Sequence, residues 1–230
     1  MTDPLVLIPG LNNTAAVFDR LRARLPADVP ATAVDNPALE TVEAIAQALL
    51  PALPPRFALV GFSFGGYVAL ALLEAAPERV SGVAMVCTAP NADTPAAAAR
   101  RAASLQVVTE GRYFETIQAQ AANAFHPDSL RDAALMAERE AMVRAYGPER
   151  YAAHVRAAIA RPDRTALLDG RHPTLVVGGS HDALFTPQAL AYAERIPGAR
   201  RVTIEGAGHL LPMERPAELA QCLADWVRAG

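Results

Sequence analysis

At 230 residues, 52% hydrophobic and 20% charged, the chain is long enough for one sizeable domain with room for an insertion. Its net charge of −3 offers no basic surface for nucleic acid or an anionic membrane. All 21 basic residues are Arg, which excludes Schiff-base lysine chemistry, a P-loop lysine and a lysine-tethered cofactor.

The start, MTDPLVLIPG, has no basic lead and only a short apolar run before Pro9, unlike a signal peptide or a membrane span, so a cytoplasmic protein is expected. The run 4–10 reads as a buried strand. A helix is expected over 14–25, with Thr14 as N-cap and Val17, Phe18, Leu21 and Leu25 on one face. A weaker strand (29–37) and a helix (41–50, stopped by Pro51) follow, then a strand (56–63), a helix (65–76) and a strand (80–90). Further on come a strand (173–180), a helix from Pro187 to Ile196, a strand (199–208) and a last helix from Pro216 to Ala229. Apolar strands alternating with helices predict an α/β fold: a mostly parallel sheet of about six strands, covered on both faces.

Residues 91–165 carry no strand pattern. Pro95, Gly111, Pro127, Gly147-Pro148 and Pro162 cut them into about four helical segments. They follow the fourth core strand, at the sheet edge where ligands bind in open α/β folds. A helical cap, or lid, is therefore expected over 91–165, dividing a core made of 1–90 and 166–230.

One short stretch stands out. LVGFSFGGYVAL (59–70) sets Ser63 between Gly61 and Gly65, where a strand gives way to a helix. A sharp strand-to-helix turn can expose a nucleophile only if the residues two before and two after it are tiny. The helix starting near Phe64 also aims its amides and dipole at Ser63, where they would favour an oxyanion. Serine then needs a base held by a third group. His209 follows the last strand and Asp182 the strand before it, both at the same sheet edge as Ser63. The other histidines compete poorly. His126 and His154 fall in the insertion, His172 precedes a strand, and His181 beside Asp182 reads as a surface pair. Asp93, after the fourth strand, is the rival acid, while Asp163 and Asp169 look like boundary residues of the insertion. Cys87 and Cys222 lack metal-ligand spacing and read as reduced, buried thiols.

With LVLIPGLNN, LVGFSFGG, PTLVVGGSHDALFTP and EGAGHLLPMERPAEL in this order, the chain resembles the α/β-hydrolase superfamily, in its capped Ser-Asp-His esterase and lactonase branch. The resemblance implies the α/β-hydrolase fold, with Ser63 as nucleophile, His209 as base and Asp182 as the acid orienting it. It also implies an oxyanion hole from the backbone N–H groups of Leu11 and Phe64. Two departures stand out. Pro9-Gly10 replaces the family's His-Gly, which puts the support of the Leu11 loop in question, and the chain begins at the family's third strand. Asn12 and Asn13 could brace that loop or cap the following helix.

The function expected is acyl transfer to water: cleavage of a small, neutral ester, thioester or lactone through an acyl-enzyme. A carbon–carbon bond hydrolase or a perhydrolase on the same triad is the alternative, and a non-enzymatic small-molecule receptor lies further off. A dehalogenase would need Asp at position 63. No metal or organic cofactor is expected, and no partner beyond a small-molecule substrate. The inward faces of the insertion are expected to be apolar, with Arg100, Arg112 or Arg144 available should an anionic group have to be held.

Overall fold

The computed structural model describes residues 2–229. Six strands form one sheet: β1 (Leu5–Ile8), β2 (Ala31–Ala33), β3 (Phe57–Phe62), β4 (Val80–Val86), β5 (Thr174–Gly179) and β6 (Arg200–Ile204). Their order is β2-β1-β3-β4-β5-β6, and every neighbouring pair runs parallel. β1, β3, β4 and β5 are buried along almost their whole length because both faces are covered, whereas the edge strands β2 and β6 are partly exposed. Alternate residues serve opposite layers. Leu5, Leu7, Val60, Phe62, Ala84, Val86, Leu175 and Val177 join one core, while Val6, Ile8, Leu59, Val83, Met85 and Val176 join the other.

The helices are α1 (Asp19–Arg22), α2 (Val42–Leu49), α3 (Phe64–Ala75), α4 (Pro95–Ser104), α5 (Gln106–Thr109), α6 (Tyr113–Ala119), α7 (Ala121–Ala124), α8 (Ala133–Tyr146), α9 (Pro148–Ala160), α10 (Leu211–Glu214) and α11 (Pro216–Ala229). Leu21 of α1 and Leu219 and Leu223 of α11 pack on the first face, and Val42 and Ile45 of α2 with Val68 and Leu72 of α3 on the second. Among the described residues, no helix is long and apolar enough to cross a membrane.

Two expected helices and the helical insertion differ. The span 14–25 is a 3₁₀ turn, Ala15–Phe18, followed by the single turn α1, and the Thr14 side chain makes no capping bond. Val17, Phe18 and Leu21 still reach the core. The span after Pro187 is a 3₁₀ helix, Ala189–Arg195, in which Gln188 and Ala193 carbonyls accept from Ala191 and Ile196, three residues on. The segment between β4 and β5 holds six α-helices, because single-residue breaks at Leu105 and Gln120 split runs that read as continuous. Pro216 does open the last helix.

The segment between β4 and β5 is locked to the core through His154 of α9, which is fully buried. Tyr146 O–H donates to its Nδ1 (2.5 Å), and its Nε2–H donates to the Pro37 carbonyl (2.7 Å). Its ring stacks on Phe64, centroids 4.9 Å apart at 18°. Burial pushes its pKa down from 6.5 to about 4; the Pro37 bond opposes this and the nearby Arg150 charge adds to it. The unfolded chain therefore binds this proton first as pH falls. The stabilisation from a neutral His154 is complete above about pH 6.5 and lost on the way down to about pH 4, roughly 3 kcal/mol in all. Urea unfolding at neutral pH and near about pH 4.5 should register that slope. His154→Gln, which cannot titrate, should flatten it, and an unchanged slope would assign the acid sensitivity elsewhere.

Candidate active site

β3 ends at Phe62 and α3 begins at Phe64, leaving Ser63 alone in the turn at φ 52°, ψ −118°. A non-glycine residue rarely adopts a positive φ. Ser63 is held there from both sides: its N–H donates to the Val86 carbonyl, and its own carbonyl accepts from Gly66 N–H, each at 2.9 Å. The glycines are explained by contact. A Cβ on Gly61 would meet the Gly66 Cα at 2.5 Å, and one on Gly65 would run into the Ile8 carbonyl. Bare backbone lets the first turn of α3 lie directly on β1 and β3. Asn12 and Cys87, the other non-glycine residues with positive φ among those described, follow the ends of β1 and β4 at the same sheet edge.

Asp182 lies in the turn after β5. Its Oδ1 accepts from the N–H groups of Leu184 (2.8 Å) and Phe185 (2.9 Å). Its Oδ2 accepts from His209 Nδ1–H at 2.9 Å. Burial alone would raise this carboxyl, but attraction to the His209 imidazolium, the ring N–H bond and the two backbone donors outweigh that and hold it below the usual 3.8. The carboxylate only accepts, so the His209 proton sits on Nδ1 and Nε2 is left as acceptor. Ser63 Oγ–H donates to that Nε2 at 2.9 Å. The imidazole is further held between the rings of Phe62 and Phe185.

His209 is fixed by contacts from the segment between β4 and β5. Its N–H donates to the Ala124 carbonyl (2.8 Å). The buried Glu214 carboxylate accepts from Gly208 N–H (3.0 Å) and His126 N–H (2.7 Å), bridging the two loops. Sequence reasoning passed over Glu214, although an acid inside the apolar run LLPMERP was its signal.

The loop after β1 packs against the serine: a Cβ on Gly10 would lie 3.0 Å from that of Ser63. Neither Leu11 N–H nor Phe64 N–H has a protein acceptor among the described residues. The missing family histidine is replaced by a set of amides. Asn13 Nδ2 donates to the Leu11 carbonyl (2.7 Å) and Asn36 Nδ2 to the Pro9 carbonyl (2.9 Å). From across the cavity, Tyr113 O–H donates to Asn12 Oδ1 (3.1 Å), and Arg139 Nη1 donates to the Asn12 carbonyl (2.5 Å) and Asn13 Oδ1 (2.9 Å). The two asparagines thus brace their own loop rather than cap the next helix.

The rejected candidates have other partners. Asp93 is bound by Arg101 (2.7 Å) and Arg161 (2.8 Å). His181 is exposed, its Nδ1 paired with Ser180 Oγ. His172 donates to the Val80 carbonyl at the far end of the sheet. Cys87 Sγ lies with the Asp182 and His209 ligand atoms, all within 4.8 Å of one another. Burial, and then the Asp182 charge, push its thiol well up, so it stays protonated and makes a poor metal ligand.

A cavity of about 620 Å³ opens over Ser63 and His209, walled by Leu11, Phe64, Tyr67 and residues of the segment between β4 and β5. A separate hollow of about 990 Å³ lies at the opposite edge of the sheet, around Pro4, Arg56 and Trp226. The expected apolar lining is only partly present, because Arg100, Arg101 and Arg139 also face the cavity over Ser63 and His209. Of the arginines singled out in the sequence, Arg112 pairs with Glu110 and Arg144 with Glu140 at the surface. Arg139 escaped notice because it sits at helical spacing within the apolar stripe Leu135, Met142, Val143 and Tyr146 of α8.

A model of the alpha/beta hydrolase family matches residues 5–222. A pimeloyl-(acyl-carrier protein) methyl ester esterase from Aromatoleum aromaticum is 29% identical over 97% of this chain and 98% of its own length. Among solved structures, a thermophilic esterase from Thermogutta terrifontis superposes with a TM-score of 0.87 at 26% identity, covering 98% of this chain and 89% of that one. An enol-lactonase from Burkholderia xenovorans shares the fold, with a TM-score of 0.88 at 22% identity over 99% of this chain and 92% of that one. The match runs through the sheet, the serine turn and both C-terminal loops, and the chain belongs to the alpha/beta hydrolase family.

Proposed function

We propose that the protein is a serine hydrolase that cleaves a small carboxylic ester, thioester or lactone through an acyl-enzyme. The observation that carries this reading is the unbroken chain of hydrogen bonds Ser63–His209–Asp182, each link 2.9 Å. In the cycle, His209 Nε2 takes the Ser63 proton as Oγ attacks the substrate carbonyl. Leu11 N–H and Phe64 N–H receive the oxyanion, each such donor contributing about 10²–10³ in rate. His209 returns the proton to the leaving alcohol or thiol, and water then releases the acyl group by the same steps. Asp182 stays ionised and holds the imidazole in the one tautomer that can serve. Residues 91–165 act as a cap over this site, and 1–90 with 166–230 supply the core. The esterases among the similar proteins support this reaction class.

Ser63→Ala should reduce ester hydrolysis by ~10⁴-fold or more and abolish labelling by a fluorophosphonate. His209→Ala should cost about as much, and the double variant little more, because the residues act as a unit. Additive losses, or labelling that survives Ser63→Ala, would end this assignment.

Asp182→Asn should lower kcat by up to ~10⁴-fold by leaving the imidazole in the wrong tautomer. Asp93→Asn breaks a buried charge cluster instead, so it should lower thermal stability by on the order of 3 kcal/mol while hydrolysis of the folded fraction persists. The reverse pattern would transfer the role of the acid to Asp93.

A further inference from the structure

Arg139 is 8% exposed, yet no carboxylate pairs with it among the described residues. Both of its hydrogen bonds use Nη1, to the Asn12 carbonyl and Asn13 Oδ1. Nε and Nη2 have no protein acceptor, and they are not sealed from the cavity. A guanidinium withdrawn from water without a counter-charge is costly unless something supplies one. Burial brings its pKa down to about 10, so it remains a cation at neutral pH. The cavity around it has a consistent sign. Three arginines line it, and no Asp or Glu does, although the protein as a whole carries −3. Asp93 pairs with Arg101 as well as Arg161, and Arg100 stands exposed with no ion pair among the described residues. The flanking polar groups Tyr151 and Gln118 are neutral and provide no anion either.

We propose that Arg139 is a carboxylate-binding residue of the substrate cavity, its open Nε–Nη2 edge holding an acid group carried by the substrate away from the scissile carbonyl. Two parallel N–H donors at fixed spacing match the two oxygens of a carboxylate. The substrate class is therefore a monoester or monothioester of a dicarboxylic acid, or a lactone with a carboxylate side chain. This replaces the neutral substrate expected from the sequence, and it rests on the hydrolase reading above. Because Nη1 is tied to the loop carrying Leu11, a bound carboxylate would also steady the oxyanion donor.

The test uses monomethyl esters of dicarboxylic acids from succinate to suberate, each paired with its ω-carboxamide, which is nearly isosteric but neutral. In the wild type the carboxylate member should have the higher kcat/KM at one chain length or more, by about tenfold to a hundredfold. Arg139→Gln should bring that ratio close to one, chiefly through KM, and Arg139→Lys should restore part of it. The ratio cancels any damage to the Asn12–Asn13 loop, which would slow both members alike. A wild-type ratio near one at every length, or a ratio unchanged in Arg139→Gln, overturns the proposal. Calorimetry with free dicarboxylates separates the two readings. Binding that is lost in Arg139→Gln supports the anion site even if no ester is cleaved, an outcome that would sink only the hydrolase reading. Ester cleavage with no carboxylate preference and no dicarboxylate binding would sink only the anion site.

Discussion

The structure depends on a backbone-to-backbone contact. The first turn of α3 rests on the ends of β1 and β3 with no side chain between them, at Gly65 against the Ile8 carbonyl and at Gly66 against Gly61. Any Cβ there would push the helix off the sheet, and with it the start of the helix that follows Ser63. The same closeness sets Gly10 beside Ser63, so the loop after β1 and the N-terminus of α3 meet at the serine from two sides. Ser63 then has no relaxed backbone conformation available. Its positive φ is stabilised by the bond to Val86 and by the packing of both layers.

That arrangement makes the site a joint product of sheet and insertion. The His209 loop is tied to Ala124 and, through Glu214, to His126. The Leu11 loop is tied to Tyr113 and Arg139. Phe64, next to the serine, stacks on His154. Three of the four site loops therefore have at least one partner between β4 and β5, and a shift of those helices is felt at the site. Residues remote from the chemistry can matter here through geometry.

Much of this was legible in the sequence, for identifiable reasons. The four central strands are buried and advertise themselves as apolar runs; the partly exposed edge strands β2 and β6 carry a weaker signal, and expected ends overrun the ladder by up to four residues. That Ser63, Asp182 and His209 would come together was legible because each follows a strand, and the C-terminal ends of parallel strands share one edge. The helix classes at 15–22 and 189–195 were not. Periodicity reports which side chains face the core, and a 3₁₀ turn can satisfy that as well as an α-helix. Arg139 was hidden by the same logic. Its position on the stripe marks it as inward-facing, but its charge suggested a solvated face.

The choice between Asp93 and Asp182 shows what sequence position alone leaves open. Both acids follow a core strand at the same edge. What separates them is the partner set. Asp93 meets two guanidinium groups, whose donors occupy both of its oxygens and whose charge is fixed at any accessible pH. Asp182 meets two backbone N–H groups on one oxygen and an imidazole on the other. Backbone donors orient a carboxylate without cancelling its charge, so the full negative charge is still there to stabilise an imidazolium. An acid neutralised by arginine can fold a loop. An acid held by backbone amides can also hold a base, and the chain puts that one on the strand neighbouring His209.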